Sequence, residues 1–272
     1  MLKMKTLLYL TDLYYQAKGR KYYEEDLYIT SKLKDHFNIL LGHPHQAISY
    51  MDCADLIIFR NTGSVLNYEP YFREFVNSVK NKGSLTFNSF DGKADINGKQ
   101  YLVDLFIQGY PVIPTVDSLG EINNLGKHEK YVVKLLNGAD SIGMKFLSED
   151  ELLSEDLDGV IIQPLIDFEY EVSFYYINDS FQYALYAPDK EKRWQLAEYT
   201  PSEEDLLFAD KFIRWNQMKC GITRVDACRA GNELLLVELE DLNPYLSIDS
   251  LSDTAKSKFI ENFINAIKSE LS

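Results

Sequence analysis

Short apolar runs alternate with helix-like spacing along the first third of the chain. Four runs have the length and composition of buried strands: residues 5–10, 37–41, 55–59 and 85–87. Two segments between them, 24–36 and 69–82, repeat apolar residues at helical spacing, and the second ends at Gly83. Because strand and helix patterns alternate, the sequence predicts a small parallel sheet covered by helices.

The pattern changes at residues 88–97, a polar stretch with glycine that we interpret as a domain boundary. A helix is predicted over 99–109, and prolines favour an extended segment over 110–115. The later predicted strands are 131–136, 160–163, 172–177, 181–187, 223–229 and 234–240, and the later helices are 203–219 and 253–271. The predicted fold class is therefore α/β over 1–90 and α+β over 91–272.

Composition narrows the classes of function. The 272 residues carry a formal charge of −14, the opposite of the balance that proteins binding nucleic acid usually have. Cys53, Cys220 and Cys228 form no zinc-binding spacing, and we expect reduced thiols. No run is long enough to span a bilayer, and Asp12 interrupts the first apolar run, which favours a strand over a signal segment. We expect a cytoplasmic protein with neither a nucleic-acid nor a membrane partner.

A lysine inside an apolar strand is the first candidate for chemistry. Neither a Walker-type phosphate loop nor a GxGxxG motif is present. Lys134 lies within the predicted strand 131–136, and the loop that follows contains Gly138, Ser141 and Gly143. Small residues let backbone amides approach a phosphate, and a buried lysine needs an anionic partner. The alternative, a hairpin with a glycine turn and a lysine that reaches solvent, is equally compatible with these residues.

Acidic residues at the end of the last predicted strand are the second candidate. Four residues are spaced by two along it: Leu234, Leu236, Glu238 and Glu240. If they share one face, the two carboxylates repel each other and need a cation, and oxygen ligands are those that Mg²⁺ selects. Asp226 and Asn243 complete the predicted metal site, with Arg224 beside it. The alternative is a strand end exposed to solvent, and the pattern favours the metal.

Three weaker signals concern other parts of a ligand. Gln163 and Pro164 end an apolar strand and are placed to face an adenine edge, with Glu171 placed to accept a hydrogen bond from a ribose or substrate group. Lys190 and Arg193 follow the next strand, which suits phosphate neutralisation, although surface loops often carry such residues.

The substrate side of the predicted parallel sheet offers one candidate. Arg60 and Asn61 follow the strand 55–59, where ligands of open α/β sheets bind, and Arg60 is predicted to pair with a substrate carboxylate. A glycine turn with an exposed arginine is the alternative.

Taken in order, these segments resemble the ATP-grasp superfamily, in particular its glutathione-synthetase-like and ribosomal-protein-modifying branch. The resemblance covers about residues 88–250 and rests on the order of Lys99, Lys134 and its loop, QPLI, RVD and the ELE strand. It implies a small N-terminal α/β domain (1–90) and an ATP-grasp domain (91–272) of two α+β subdomains, with a lid at about 115–165.

The resemblance also implies a function and residue roles. It implies an ATP-dependent ligase that joins a small carboxylate to an amine or thiol through an acyl phosphate, using Mg²⁺ or Mn²⁺, and it is compatible with a homo-oligomer. The implied roles are phosphate binding for Lys99 and Lys134, a lid at 138–143, an adenine slot at Gln163, Pro164, Leu165 and Ile166, a ribose contact at Glu171, γ-phosphate binding by Lys190 or Arg193, acyl-phosphate binding by Arg224, and metal binding by Asp226, Glu238 and Asn243.

Two points stay open from the sequence. The family's metal strand usually ends in Glu-x-Asn, whereas this strand reads Glu238-Leu239-Glu240 and reaches Asn243 only later. Which glutamate bridges the metal, and whether Asn243 reaches it, is therefore undecided. A small-molecule kinase on the same scaffold and a nucleotide-binding protein without turnover are the alternatives to a ligase.

Overall fold

Fourteen strands and seven α-helices are present in the described part of the protein, a computed structural model of residues 4–17, 20–60, 65–138, 143–155 and 157–272. The strands are β1 (Thr6–Leu10), β2 (Gln16–Ala17), β3 (Arg20–Lys21), β4 (Asn38–Gly42), β5 (Leu56–Phe59), β6 (Thr86–Phe87), β7 (Tyr131–Leu135), β8 (Lys145–Leu147), β9 (Val160–Pro164), β10 (Glu171–Ile177), β11 (Ser180–Ala187), β12 (Ala197–Tyr199), β13 (Ile222–Ala230) and β14 (Glu233–Glu240). The helices are α1 (Tyr23–Leu33), α2 (Ala47–Tyr50), α3 (Glu69–Lys82), α4 (Gln100–Ile107), α5 (Glu149–Leu153), α6 (Glu203–Asn216) and α7 (Asp253–Glu270).

The first sheet is the predicted parallel one. Its order is β4–β1–β5–β6, with every neighbouring pair parallel. Leu7 and Tyr9 of β1 share a buried core with residues of α1 and α7, whereas Leu8 and Leu10 pack with residues of α2 and α3. Because successive side chains of a strand point to opposite faces, this alternation covers both faces of the sheet with helices.

The second sheet has five antiparallel strands in the order β12–β11–β10–β13–β14. On one face, Phe174 and Val225 pack with residues of α4 and α6. On the other face, Tyr175 and Tyr183 share a core with Phe259 of α7 and with the parallel sheet. The helix α7 therefore contacts both sheets and fixes the position of one against the other.

A third sheet, in the order β8–β7–β9, covers part of the second. Its own core includes Val116, Tyr131, Val133 and Leu152. β7 and β8 pair antiparallel as far as Val133, and Lys134, the next residue, pairs with Ile161 of β9. A hairpin is therefore present, as the alternative interpretation held, but Lys134 is half-buried and does not extend into solvent as that interpretation also required. This sheet lies within the predicted lid range, and the boundaries at 1–90, 91–272 and 115–165 remain a prediction.

Mixed α/β architecture is thus confirmed, with parallel strands in the first part and antiparallel strands in the second. The sequence did not predict β2, β3, β8, β12, α2 or α5, which have two to five residues each. Among the described residues, no helix is both long and apolar enough to cross a bilayer.

Candidate functional site

A cavity of about 190 Å³ opens between the third sheet and the second. Apolar side chains from both sheets form much of its wall: Val132, Met144, Phe146, Leu165, Ile166, Phe168 and Val237. The predicted nucleotide-binding residues that line it are Lys99, Lys134, Gly138, Gln163, Pro164, Leu165, Ile166, Glu171 and Arg193. The structure therefore brings together residues from four separate segments that the sequence had assigned to one ligand.

Two lysines line this cavity. Lys99, just before α4, is 6% exposed and pairs with Asp95 at 2.9 Å and with Glu238. Lys134 forms no ion pair with any residue that the structure describes, and burial lowers its pKa. Removing an ammonium from water is unfavourable unless an anion compensates it. Lys134 is therefore suited to bind an anionic ligand, whereas Lys99 is already compensated by two carboxylates.

Other polar residues of the cavity wall are already paired within the protein. Arg193 donates from Nε and Nη2 to the two carboxylate oxygens of Glu171, at 2.6 and 2.7 Å. The Gln163 side-chain amide donates one N–H to Thr115 Oγ1 at 2.9 Å, which fixes its orientation. An NH₂ group has two N–H donors, so this bond leaves one donor for an adenine edge.

Three carboxylates meet beside the cavity. Asp226, Glu238 and Glu240 are half-buried, and each offers an oxygen within 4.8 Å of the others; we call them the acidic triad. Asp226 of β13 lies opposite Glu238 of β14, and Arg224 lies opposite Glu240. The Arg224 guanidinium donates to Asp226 at 2.9 Å and to Glu240 at 2.5 Å. A single cross-strand register thus assembles the triad and its arginine.

A β-bulge in β14 places the two glutamates on the opposite face of the strand from the one predicted. The pairing of β13 with β14 shifts between Asp226 and Ala227, which leaves Val237 as an extra residue on β14. Leu234 and Leu236 point into the core beneath α4 and α6, whereas Val237 and Glu238 line the cavity. The expectation that the leucines share a face with Glu238 and Glu240 is therefore wrong, since an extra residue reverses the alternation of the strand.

The electrostatics of the triad favour a cation. Burial, reinforced by the neighbouring carboxylates Glu238 and Asp226, raises the pKa of Glu240 to about 8 even though Arg224 opposes the shift. Burial would also raise the pKa of Glu238, but Lys99 outweighs it and the net pKa is lowered. An all-oxygen ligand set with excess negative charge fits Mg²⁺ or Mn²⁺, and the three residues present are suited to hold one.

No protein-family model and no curated protein matches the sequence. Solved structures do match over nearly the whole chain. The D-cycloserine synthetase DcsG superposes with a TM-score of 0.74 at 17% identity, covering 98% of this chain and 100% of that one. A D-alanine–D-alanine ligase from Bacillus anthracis complexed with ATP gives 0.68 at 14% identity, covering 98% of each chain. The ATP-grasp ligase PsnB, complexed with a minimal precursor, gives 0.65 at 12% identity over 100% of both chains.

This chain has the ATP-grasp fold.

Within the ATP-grasp fold of this protein, Asn243 does not fit the predicted metal site. It is 0% exposed, its Nδ2 donates to the carbonyls of Phe59 and Phe87, and its Oδ1 accepts from the amide of Ile222. These bonds tie the end of the acidic strand to the parallel sheet. Asn243 therefore has a structural role in place of the predicted metal contact, whereas Asp226, Glu238 and Glu240, which were also predicted as metal ligands, do lie together.

Arg60 requires a similar correction. Its side chain is 0% exposed and pairs with Glu25 at 2.8 Å and with Asp26 at 3.1 Å. Glu25 also accepts hydrogen bonds from the amides of Leu246 and Ile248. The guanidinium is enclosed with two internal carboxylates and exposes no surface to solvent. A substrate carboxylate therefore cannot reach it in this structure, and the predicted pairing is wrong. Arg60 instead connects β5, α1 and the segment after β14.

The other predicted site residues differ in whether they line the cavity. Lys190 is exposed and pairs with Asp167 at 2.7 Å, so of the two residues suggested for the γ-phosphate only Arg193 lines the cavity. Asn61 and Ser141 lie outside the described residues. The sequence missed Asp95, the second carboxylate on Lys99, although the two residues are four apart just before a predicted helix.

Proposed function

We propose that this protein is an ATP-dependent ligase that binds Mg-ATP in the cavity beside the acidic triad and activates a carboxylate for attack by an amine. One observation carries the proposal: Glu238 belongs to the triad and also lines the cavity that holds Lys99 and Lys134. A phosphate chain held by these lysines would reach the triad directly. The ligase chemistry is supported by the similar structures, which include a D-alanine–D-alanine ligase complexed with ATP.

The cavity offers separate surfaces for the parts of a nucleotide. Its apolar wall, including Phe146, Ile166 and Val237, suits the two faces of a purine ring. Lys134 suits the phosphates because it is a largely buried cation without an ion pair among the described residues, and Lys99, which lines the same cavity, would add a second positive charge. Glu171 and Arg193 lie on the wall of the same cavity, where a sugar hydroxyl can exchange into their bidentate pair.

The proposed reaction has two steps. A substrate carboxylate oxygen attacks the γ-phosphorus of ATP, the bond to the bridging oxygen breaks, and ADP leaves. The amine nitrogen then attacks the acyl carbon of the resulting acyl phosphate, inorganic phosphate leaves, and the nitrogen releases a proton to solvent. A bound Mg²⁺ would supply Lewis-acid neutralisation of the phosphates.

The residues of the chain contribute positioning and fixed charge. Arg224 is 17% exposed and is held in place by Asp226, Glu240 and the carbonyl of Tyr245. A pre-oriented guanidinium at this point stabilises the charge that develops on the acyl phosphate. The hairpin of β7 and β8 covers the cavity on one side and limits access of water to the intermediate.

Calorimetric titration with ATP, with and without MgCl₂, tests the proposal. Glu238→Gln/Glu240→Gln should weaken Mg-dependent ATP binding at least about tenfold, because two of three anionic ligands become neutral. Glu233→Gln is the matched control, since Glu233 is an exposed residue at the other end of the same strand. Equal Mg-dependent affinity in wild type and the double variant would refute the metal site, and no ATP binding by the wild type would refute the function.

A further inference from the structure

Arg224, which the proposed mechanism places at the acyl phosphate, uses all but one of its N–H donors inside the protein. Its Nε donates to Asp226, and its Nη2 donates to Asp226 and Glu240. Its Nη1 donates to the carbonyl of Tyr245 at 3.0 Å. A guanidinium has five N–H donors, so one N–H of Nη1 has no partner within the part of the chain that the structure describes. That N–H is the donor available to a ligand.

The Tyr245 carbonyl controls the direction of this free donor. A guanidinium is planar and rigid, so the two N–H groups of Nη1 are fixed relative to each other. A hydrogen bond from one of them to the carbonyl therefore determines where the other points. The carbonyl is also the neutral partner of Arg224, whereas the other partners are carboxylates of the acidic triad. Its loss would change the orientation of the guanidinium and not the charge around it.

A buried carboxylate holds the peptide unit to which this carbonyl belongs. Glu25 of α1, whose side chain is 2% exposed, accepts a hydrogen bond from the amide of Leu246 at 2.8 Å. The amide of Leu246 and the carbonyl of Tyr245 are the two ends of one peptide unit, and a peptide unit is planar. Glu25 therefore bonds one end of the unit while Arg224 bonds the other. A second bond, from the amide of Ile248 to the other oxygen of Glu25 at 3.1 Å, fixes the carboxylate in this place.

The second sheet holds the same segment from another direction. Tyr183 of β11 is buried and donates its hydroxyl to the carbonyl of Leu246 at 2.8 Å. Asn243 and Ser247, on either side, have positive φ angles of 48° and 51°. Residues other than glycine rarely adopt this conformation, and it persists only where surrounding contacts enforce it. The backbone around Tyr245 is thus set in one conformation by contacts from both sheets.

We infer that Glu25 is a positioning residue for Arg224, and that it acts through the peptide unit joining Tyr245 to Leu246. The carboxylate fixes the N–H end of this unit and polarises it, which strengthens the carbonyl as an acceptor for Arg224. No described residue of the parallel-sheet region 1–90 lines the nucleotide cavity, yet Glu25 gives that region a part in the reaction. The orientation follows from the contacts, and its role at a phosphate rests on the proposed function.

The first measurement needs no substrate. In the full chain with isotopically labelled arginine, the guanidinium NMR signals of Arg224 are assigned by their loss in Arg224→Lys. Glu25→Gln keeps the shape of the side chain but has one acceptor oxygen in place of two, so the bonds to Leu246 and Ile248 cannot both remain. Exchange of the Arg224 Nη1 protons with water should then accelerate at least about tenfold.

Tyr183→Phe is a second variant, which keeps the test decisive if Glu25→Gln does not fold. It removes only the hydroxyl bond to Leu246, because phenylalanine retains the buried ring. The guanidinium exchange should accelerate in the same direction, by about threefold. Tyr176→Phe is the matched control and should change nothing, since Tyr176 is a buried tyrosine of the neighbouring strand that donates to Asp210 of α6.

The second measurement detects what the orientation does for an anion. Inorganic phosphate is titrated into the protein saturated with Mg-ADP and followed by phosphorus NMR. Glu25→Gln should weaken phosphate binding about tenfold, because the free donor of Arg224 no longer has a fixed direction. The affinity for Mg-ADP should stay unchanged, since Glu25 does not line the nucleotide cavity. A purely structural effect of the variant would change both affinities or neither.

Each remaining outcome overturns a stated part of the account. Exchange at the wild-type rate in both Glu25→Gln and Tyr183→Phe would overturn the inference, whatever the function. Faster exchange with a phosphate affinity that is unchanged, or undetectable in the wild type, would overturn the role of this orientation at the reaction site. A wild type that binds no nucleotide would refute the proposed function, and the exchange rates alone would then decide whether Glu25 orients Arg224.

Discussion

Replacing the buried Arg60 by Met should destabilise the protein strongly and leave ATP binding intact. Arg60 is 0% exposed and compensates two carboxylates, Glu25 and Asp26, whose side chains are 2% and 0% exposed. Removing one partner of a buried ion pair costs about 3–5 kcal/mol, because the remaining charge stays out of water. Because all three side chains are buried, solvent does not screen the interaction and this energy needs no reduction. For a chain of this length, each kcal/mol lowers the melting temperature by about 2–4 °C, so a fall of roughly 10 °C is expected.

Thermal and urea unfolding of Arg60→Met measure this effect directly. Arg73→Met is the control, since its side chain is 74% exposed and its pair with Glu69 should be worth under about 1 kcal/mol. A variant with wild-type stability and a raised substrate KM would refute the enclosed arrangement. That result would restore Arg60 as a residue that binds a substrate carboxylate.

Two other predictions concern the site. Asn243→Ala removes buried hydrogen bonds to Phe59, Phe87 and Ile222, so unfolding should show a loss of about 2–4 kcal/mol. Mg-dependent ATP affinity of the folded Asn243→Ala protein should stay unchanged, and a selective loss of metal binding would contradict the structural role. Burial lowers the pKa of Lys134, so this lysine should lose its proton at a lower pH than an ordinary lysine does. The affinity of the wild type for ATP should therefore fall as the pH rises, before the pH reaches the range in which lysines usually titrate. Lys134→Arg should bind ATP with little decline over the same pH range, and identical titration profiles would contradict the assignment of Lys134 to the phosphates.

Local pattern was enough to predict the main elements of the fold. The apolar runs became β1, β4, β5 and β6, and the helix predicted over 69–82 is α3. Elements of two to five residues, such as β8 and α2, were missed because they are too short to show a period. The order of motifs also indicated residues that line a single cavity, because β7, β9 and the start of β10 bring several of them to one place and Lys99 joins them from the start of α4.

The predictions that proved wrong concern residues whose contacts lie in distant segments of the chain. Arg60 meets Glu25, 35 positions away, and Asn243 meets Phe59, 184 positions away. Neither partner can be identified from the neighbouring sequence, so both polar residues were assigned to ligands. The bulge at Val237 likewise depends on how β14 pairs with β13. The two glutamates were correctly predicted to lie together, but the reason given, a face shared with the leucines, was wrong.

The most direct test of the account is a crystal structure with Mn²⁺ and a non-hydrolysable ATP analogue, in which anomalous scattering locates the metal. The account predicts a metal with carboxylate oxygens of Asp226, Glu238 and Glu240 at about 2.1 Å, phosphates at Lys99 and Lys134, and the purine against the apolar wall of the cavity. A metal bound elsewhere, with the analogue outside this cavity, would contradict it.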